Sequence, residues 1–445
     1  MASRDPSKFI LRAGSLRTGF FYQVALLVRA AGSSESSSTS TQVYVQPGRV
    51  VGVIASGDAQ NLRAGDTLVL DASGSYDEDV DGVVGPAAGL GFQWSCVQTA
   101  PVFNATCLGV FDTKKMRATR SSFFTLEATF IAAGRVLEVS VLVSDAKQQR
   151  TSVATVTLTV QVPLAPTVSV SASNVPTSGV INAGQTLQLS ASVSVPAALG
   201  ANATWVVDDS ALDLRPIALL PLAVSISSRF NASLTEFSTK SFLLAFPGNA
   251  LPAGQKLTFS LVAVIPSNGQ QAVGSVSITV NAAPTPGSFV MHPSQGVGLL
   301  DSFQFLALQW VDPDLPLSYQ FGYLSNIGHS VVLRSRSELA FGSSLLSAGT
   351  AESGFAVVCF AQIFDAYSAN SSAQATIQVT ESATAMNSSQ VAEFVRRSLY
   401  EASSDVDGIK QTAAMASYLL NAVNCTLAPN CSELHRQSCL SAAHT

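Results

Sequence analysis

At 445 residues the chain is too long for one hydrophobic core and suits three or four domains of about 100 residues. Apolar residues make up 47% and charged residues 12%. The apolar ones come in short alternating runs, none near the roughly 18 residues of a membrane-spanning helix, so the composition points to β-rich modules. A net charge of -5 and a pI near 5.4 disfavour nucleic acid as a partner.

In chain order, Met1 to Lys8 has no apolar block followed by a small-residue cleavage site, so no secretory signal is read there. Residues 1–46 read as the C-terminal half of a β-sandwich without its front half. A turn at Leu16 to Gly19 leads into strands at Phe20 to Val28 and Gln42 to Val45. The expectation is an internal or truncated piece of a larger exported protein.

Three fuller copies of that pattern follow, and Trp94, Trp205 and Trp310 recur within them. In residues 47–163 an Ala64 to Ser73 strand precedes Trp94, and the Ala132–Ala133–Gly134 turn leads into Val136 to Val143 and Val153 to Val160. Residues 164–281 repeat this with Ala183 to Ser192, Trp205, Pro252–Ala253–Gly254, Leu257 to Ile265 and Val276 to Val280. In residues 282–381 the parts are Leu299 to Phe305, Trp310, Ser347–Ala348–Gly349, Phe355 to Phe364 and Ala375 to Val379. Val, Ile, Thr and Phe at alternate positions between Gly, Pro, Asn and Ser predict antiparallel strands with one buried face. About seven such strands per copy make an Ig- or fibronectin type III-like β-sandwich with its tryptophan on a central strand. Pro47, Pro163 to Pro166 and Pro284 to Pro286 mark the joints.

Residues 382–424 change to helical spacing. Val391, Phe394, Val395 and Leu399 follow a capping Asn387–Ser388–Ser389, and Ile409, Ala413, Ala416, Leu420 and Val423 follow Asp407–Gly408. Cys425, Cys431 and Cys439 make residues 425–445 a truncated Cys-rich module.

Asp77, Asp79, Asp81 and Gly82 match the opening of a calcium loop, where alternate carboxylates converge on a hard cation. The twelfth position is Ala88 in place of a bidentate Glu, so weak calcium binding at most is expected; the alternative is a solvated acidic loop. The basic cluster Lys114, Lys115, Arg117 and Arg120 lacks interleaved aromatics and reads as a solvated loop. Four histidines, His292, His329, His435 and His444, belong to no H-E-x-x-H helix, and neither a G-x-S-x-G elbow nor a phosphate-binding loop occurs. No catalytic residue, enzyme activity or cofactor is assigned.

Two stretches carry a family resemblance. Leu68 to Asp77, with Phe92, Gln93, Trp94, Ser95 and Cys96, resembles the PKD type of Ig-like repeat found within receptor-for-egg-jelly (REJ) modules. Pro284 to Val290, Pro293 to Gly296, Phe303, Trp310, Asp312–Pro313–Asp314–Leu315–Pro316–Leu317, Tyr319 and Phe321 are similar to the most distinctive stretch of REJ modules in polycystin-family membrane proteins. The likeness covers about residues 9 to 380. It implies an extracellular, non-enzymatic array of sandwiches ahead of a membrane-spanning region.

Cys96 and Cys107 flank a short loop, and REJ-like modules resemble this arrangement; a disulfide is expected, with two free thiols as the alternative. Cys359 reads as an apolar core residue. Seven N-x-S/T sequons, at Asn104, Asn202, Asn231, Asn370, Asn387, Asn424 and Asn430, point to glycosylation in an exported protein. The expected function is cell-surface ligand binding, adhesion or force transmission by a polycystin-like membrane protein. The alternative is a secreted or wall-associated Ig-like adhesin without a channel region. The expected partner is a protein or glycan at the cell surface, with membrane attachment through a downstream region.

Overall fold

The computed structural model describes residues 15–381, except 31–33, 56, 81, 108–109, 111–119, 130–131, 148, 177 and 326–327. Outside that range it describes residues 11, 393, 395–397, 409 and 412–413. The chain divides into two compact units: Met1–Val180 with Thr186–Pro247 and Lys256–Thr279, and Ile181–Gln185 with Gly248–Gln255 and Val280–Thr445.

The first unit opens on an antiparallel hairpin, β1 (Phe21–Arg29) with β2 (Ser36–Tyr44). Eight strands follow: β3 (Val50–Val51), β4 (Ala59–Arg63), β5 (Thr67–Asp71), β6 (Tyr76–Asp77), β7 (Gly91–Ala100), β8 (Phe123–Glu127), β9 (Val136–Ser144) and β10 (Thr151–Gln161). In β9, Leu137, Val139, Val141 and Val143 are fully buried while the intervening Glu138 is exposed, as the two-residue period of a half-buried strand requires. These valines share one core with Leu70, Phe124 and Leu126 from the β5–β8 pair and with Trp94 from β7.

The next strands are β11 (Thr167–Ala172), β12 (Val180–Asn182), β13 (Leu187–Pro196), β14 (Ala201–Val207), β15 (Ala223–Ile226), β16 (Phe237–Phe246), β17 (Lys256–Val264) and β18 (Gln271–Asn281). In the first unit β11, β13 and β16 form a three-stranded sheet, and Leu189, Leu244, Phe246 and Phe259 are buried without exposure. The other layer does not stop at the sandwich. It runs β15-β14-β17-β18-β4-β10-β9-β7, because Ala59 bridges Ser275 and the Asp58 N–H donates to the Ser275 carbonyl at 2.9 Å. Within this unit the two sandwiches are thus joined by a single strand bridge, Ala59 opposite Ser275, as well as by a proline-containing linker.

The second unit contains β19 (Ser288–His292), β20 (Gln295–Val297), β21 (Ser302–Leu308), β22 (Ser318–Leu324), β23 (Ser330–Ser337), β24 (Phe341–Leu345), β25 (Ala356–Phe364) and β26 (Asn370–Thr380). Sheets β19-β21-β24 and β20-β26-β25-β22-β23 enclose a core centred on Phe303, Phe305 and Phe321. The Ser347–Ala348–Gly349 turn expected ahead of β25 is divided between two glycines. The Gly349 N–H bonds the Val379 carbonyl, while Gly354, at φ 62°, supplies the left-handed turn into the strand.

The expected class, mostly β with tandem Ig-like sandwiches, is the one found. Glu393, Val395 to Arg397, Ile409, Thr412 and Ala413 are helical. Cys425, Cys431 and Cys439 lie outside the described residues. Among the described residues no helix is long and apolar enough to cross a membrane.

Candidate functional site

Two carboxylate clusters occupy equivalent places in the first and last sandwiches. In the first, Asp77 ends β6 and Asp145 follows β9, and Arg150 at the start of β10 reaches both. Its guanidinium donates to the two Asp77 oxygens at 2.8 and 2.7 Å, to Asp79 Oδ2 at 2.7 Å and to Asp145 Oδ2 at 3.3 Å. The bidentate pair is a strong, charge-assisted arrangement, and Asp77 is buried. The hydrogen bond to Asp77 leads in holding the Arg150 pKa above its ordinary value. At Asp145 burial opposes ionisation. The Gln149 and Arg150 N–H groups and the Arg150 side chain outweigh it and hold the carboxyl below its usual range. Asp77 and Asp79, read from sequence as calcium ligands, therefore hold a side-chain cation. Their Oδ1 atoms also accept the Asp79 and Gly48 N–H groups. Asp81 lies outside the described residues.

In the second unit the corresponding residues are Asp312 and Asp314, after β21, and Asp365, after β25. One carboxylate oxygen from each lies within 4.8 Å of the others. Asp312 and Asp365 are buried, and Asp314 is half-buried. Asp365 accepts the Ala369 N–H at 2.8 Å and the Asn281 Nδ2–H at 2.6 Å; Asp312 accepts the Asp314 N–H at 2.7 Å. A backbone hydrogen bond from the aspartate closes both connections, Asp145 N–H to the Arg150 carbonyl and Asp365 N–H to the Ala369 carbonyl, each 3.1 Å, the first connection being one residue longer. Where the first sandwich places Arg150 among the carboxylates, the nearby Arg336 of the last donates to the Asp365 carbonyl at 3.0 Å and to Ser368 Oγ at 2.9 Å. Three hard oxygen donors in this geometry are the ligand type of calcium or magnesium and not of a soft metal. Sequence reading used Asp312–Pro313–Asp314 only as a family marker. The available signal was the alternate-carboxylate spacing shared with Asp77 and Asp79, and Asp365 is joined to it only by the fold.

A third constellation fastens the first unit. Arg63, at the end of β4, donates to the Ala165 carbonyl at 2.9 Å and to the Ser194 carbonyl at 2.6 Å, and lies 4.0 Å over the Phe237 ring. It is 6% exposed, and burial lowers its pKa despite the opposing charge of Asp66. Asn61 Nδ2 donates to the Val273 carbonyl at 2.8 Å beside it. Nothing in the sequence singled out Arg63, because the carbonyls it bonds, of Ala165 and Ser194, stand more than a hundred residues away.

The remaining assignments are structural. Cys96 and Cys107 form a disulfide with Cα atoms 5.7 Å apart. Cys359 is fully buried, which pushes its thiol up to about 12, so it offers no thiolate nucleophile. Trp94 stacks on Phe124 at 5.3 Å and donates to the Ser121 carbonyl; Trp205 and Trp310 are likewise buried. Of the three tryptophans expected on a central strand, only Trp205 is on one, β14 between β15 and β17; Trp94 is on β7, the end strand of its sheet, and Trp310 lies on no strand, in the connection between β21 and β22. His292 and His329 are exposed; His435 and His444 lie outside the described residues. Sequons Asn104, Asn202, Asn231 and Asn370 are all exposed, while Asn387, Asn424 and Asn430 lie outside the described residues. So do Lys114, Lys115 and Arg117.

Against known proteins, a family model described as REJ domain matches residues 6–419. No curated protein matches the chain. Among solved structures, a 1.5-MDa bacterial ice-binding adhesin is 12% identical, with 76% of this chain and 99% of that chain covered and a TM-score of 0.28. The human Desmocollin-1 ectodomain is 13% identical over 82% and 66%, with a TM-score of 0.19. The N-terminal four Ig domains of Dscam1 are 10% identical over 81% and 82%, with a TM-score of 0.17.

Proposed function

The chain belongs to the REJ domain family, and we propose that it is the extracellular module of a polycystin-like membrane protein, transmitting force or ligand contact at the cell surface. The observation that carries the reading is the fastening of the first unit. A continuous sheet crosses from one sandwich to the next, and Arg63 is buried across the same joint. A strand bridge and a desolvated, hydrogen-bonded guanidinium at a joint resist bending, which a flexible linker does not. The Cys96–Cys107 bridge and the four exposed sequons fit an oxidising, exported setting.

The mechanism needs no chemical step. Load along the chain is borne by interstrand ladders, and the exposed loops and strand edges are left for a protein or glycan ligand. Single-molecule pulling on the chain secreted from mammalian cells tests this. The expected trace shows the two sandwiches of the first unit resisting force together in the native chain and separately in Arg63→Ala. Independent low-force unfolding in the native chain would count against force transmission. Mass loss on enzymatic deglycosylation is expected in the same preparation, and its absence would count against the cell-surface assignment.

A further inference from the structure

The long sheet of the first unit ends on β15, and residues 216–228, which lead into this strand and through it, contain no charged side chain. Other end strands carry charge: Lys240 on β16, and Arg334 with Arg336 on β23. The Leu222 carbonyl accepts the Trp205 N–H at 2.8 Å, so antiparallel alternation turns the Val224 and Ile226 backbone groups toward β14. Those of Ala223 and Ser225 then face the open side, where among the described residues no strand pairs with them. Ala223, Val224 and Ser225 are all exposed. The segments on either side of the strand add apolar surface, Leu219 at 60% and Phe230 at 95% exposure. An uncharged edge of this kind is a template for pairing with another chain unless something covers it.

Two sequon asparagines stand at this edge. Asn202, the second residue of β14, lies directly opposite Ser225 of β15, whose hydroxyl donates to its Oδ1 at 2.8 Å. Asn231 follows Phe230 in the loop that leaves β15. The Arg229 N–H ties that loop to the Ala197 carbonyl at 2.7 Å, and Asn231 takes a left-handed φ of 61° in the turn closed from Ala232 to Arg229. Because β15 ends with Ile226 opposite Ala201, both asparagines leave from the same end of the strand pair. Neither Nδ2 nitrogen donates a hydrogen bond among the described residues, and the sequon hydroxyl residues Thr204 and Ser233 are exposed.

We propose that N-linked glycans on Asn202 and Asn231 cover the β15 edge and keep it from pairing with the same edge of a second copy. In the modification a bond forms from Nδ2 to the sugar's anomeric carbon, the bond from that carbon to a lipid diphosphate donor breaks, and the amide proton leaves with the diphosphate. A bulky, hydrated glycan fixed beside the strand blocks the approach of another backbone, which is what charge does on β16 and β23. Resting on the exported, cell-surface reading, the proposal sharpens it: this strand edge is closed by the chain's own sugars and is not among those open to a ligand.

Glycopeptide mass spectrometry and light scattering on the full chain secreted from mammalian cells test this. Both asparagines are expected to carry glycan and the native chain to be a monomer. Asn202→Gln with Asn231→Gln is expected to raise the mass about twofold with increasing concentration, as a symmetric edge-to-edge dimer. If that variant is not secreted, endoglycosidase trimming of the folded native chain is expected to do the same. Adding Ala223→Pro, which removes an N–H on the open side and none from the β14 ladder, is expected to return the monomer. Asn370→Gln, in the second unit, is expected to leave the mass unchanged. Bare Asn202 and Asn231 beside an occupied Asn104 or Asn370 would overturn the proposal and leave the exported reading standing; bare asparagines at every sequon would overturn both. A chain that stays monomeric without the two glycans would also overturn it, as would association that Ala223→Pro does not reverse or that Asn370→Gln alone produces. A native dimer abolished by Ala223→Pro would overturn it in favour of a second copy on this edge.

Discussion

Single residues decide how the two carboxylate clusters behave. Asp145 has a depressed pKa, so its contribution to stability is complete above the unfolded carboxylate value of about 3.9 and is lost as pH falls through the folded value. Replacing Arg150 by Met leaves buried Asp77 without its bidentate partner and is expected to cost about 2–3 kcal/mol at neutral pH. Urea melts from pH 3 to 7 check this, because the Arg150 side chain helps lower the Asp145 pKa and the variant's loss should shrink at the acid end, where Asp145 protonates. In the second unit Asp365→Ala strands the Ala369 N–H and the Asn281 amide. A loss of about 2–3 kcal/mol is expected, read as a lower denaturant midpoint. Cys359 is expected to resist alkylation in the native protein and to react on unfolding, followed by mass spectrometry with and without denaturant.

At the scale of elements, the strand pairs around the tryptophans hold each core. Trp94 is bound on three sides: by the Phe124 ring, by the Ser121 carbonyl and by its place two residues before the Cys96–Cys107 bridge. Trp94→Ala is expected to cost roughly 3–5 kcal/mol. Reducing the bridge should cost about 3 kcal/mol in the chain-entropy model, and calorimetry with and without reductant measures it. The alternation of β9, β17 and β25 was legible in sequence, since period-two burial follows directly from side chains pointing to opposite faces. The turn into β25 was legible only in part. Both Gly349 and Gly354 stand before that strand, and a one-dimensional pattern does not say which one takes the hydrogen bond and which the left-handed backbone.

For the molecule as a whole, the first unit behaves as two sandwiches sharing a sheet, and Arg63 is the place to test that. Arg63→Ala removes hydrogen bonds to Ala165 and Ser194 and a cation–π contact with Phe237. A loss of about 2–3 kcal/mol is expected; calorimetry is expected to show one transition for these two sandwiches in the native chain and two in the variant. By itself the sequence determined the β class, the repeat, the tryptophan cores and the family, because alternation, turn glycines and the Asp312 to Leu317 run are local signals that survive in one dimension. Only the tertiary structure decided what the acidic groups hold and how the first sandwich joins the second. Arg150 meets Asp77, Asp365 meets Asp312, and Arg63 meets Ser194 across long stretches of chain, and pairings at that separation are set by packing of the sheets and not by spacing along the sequence.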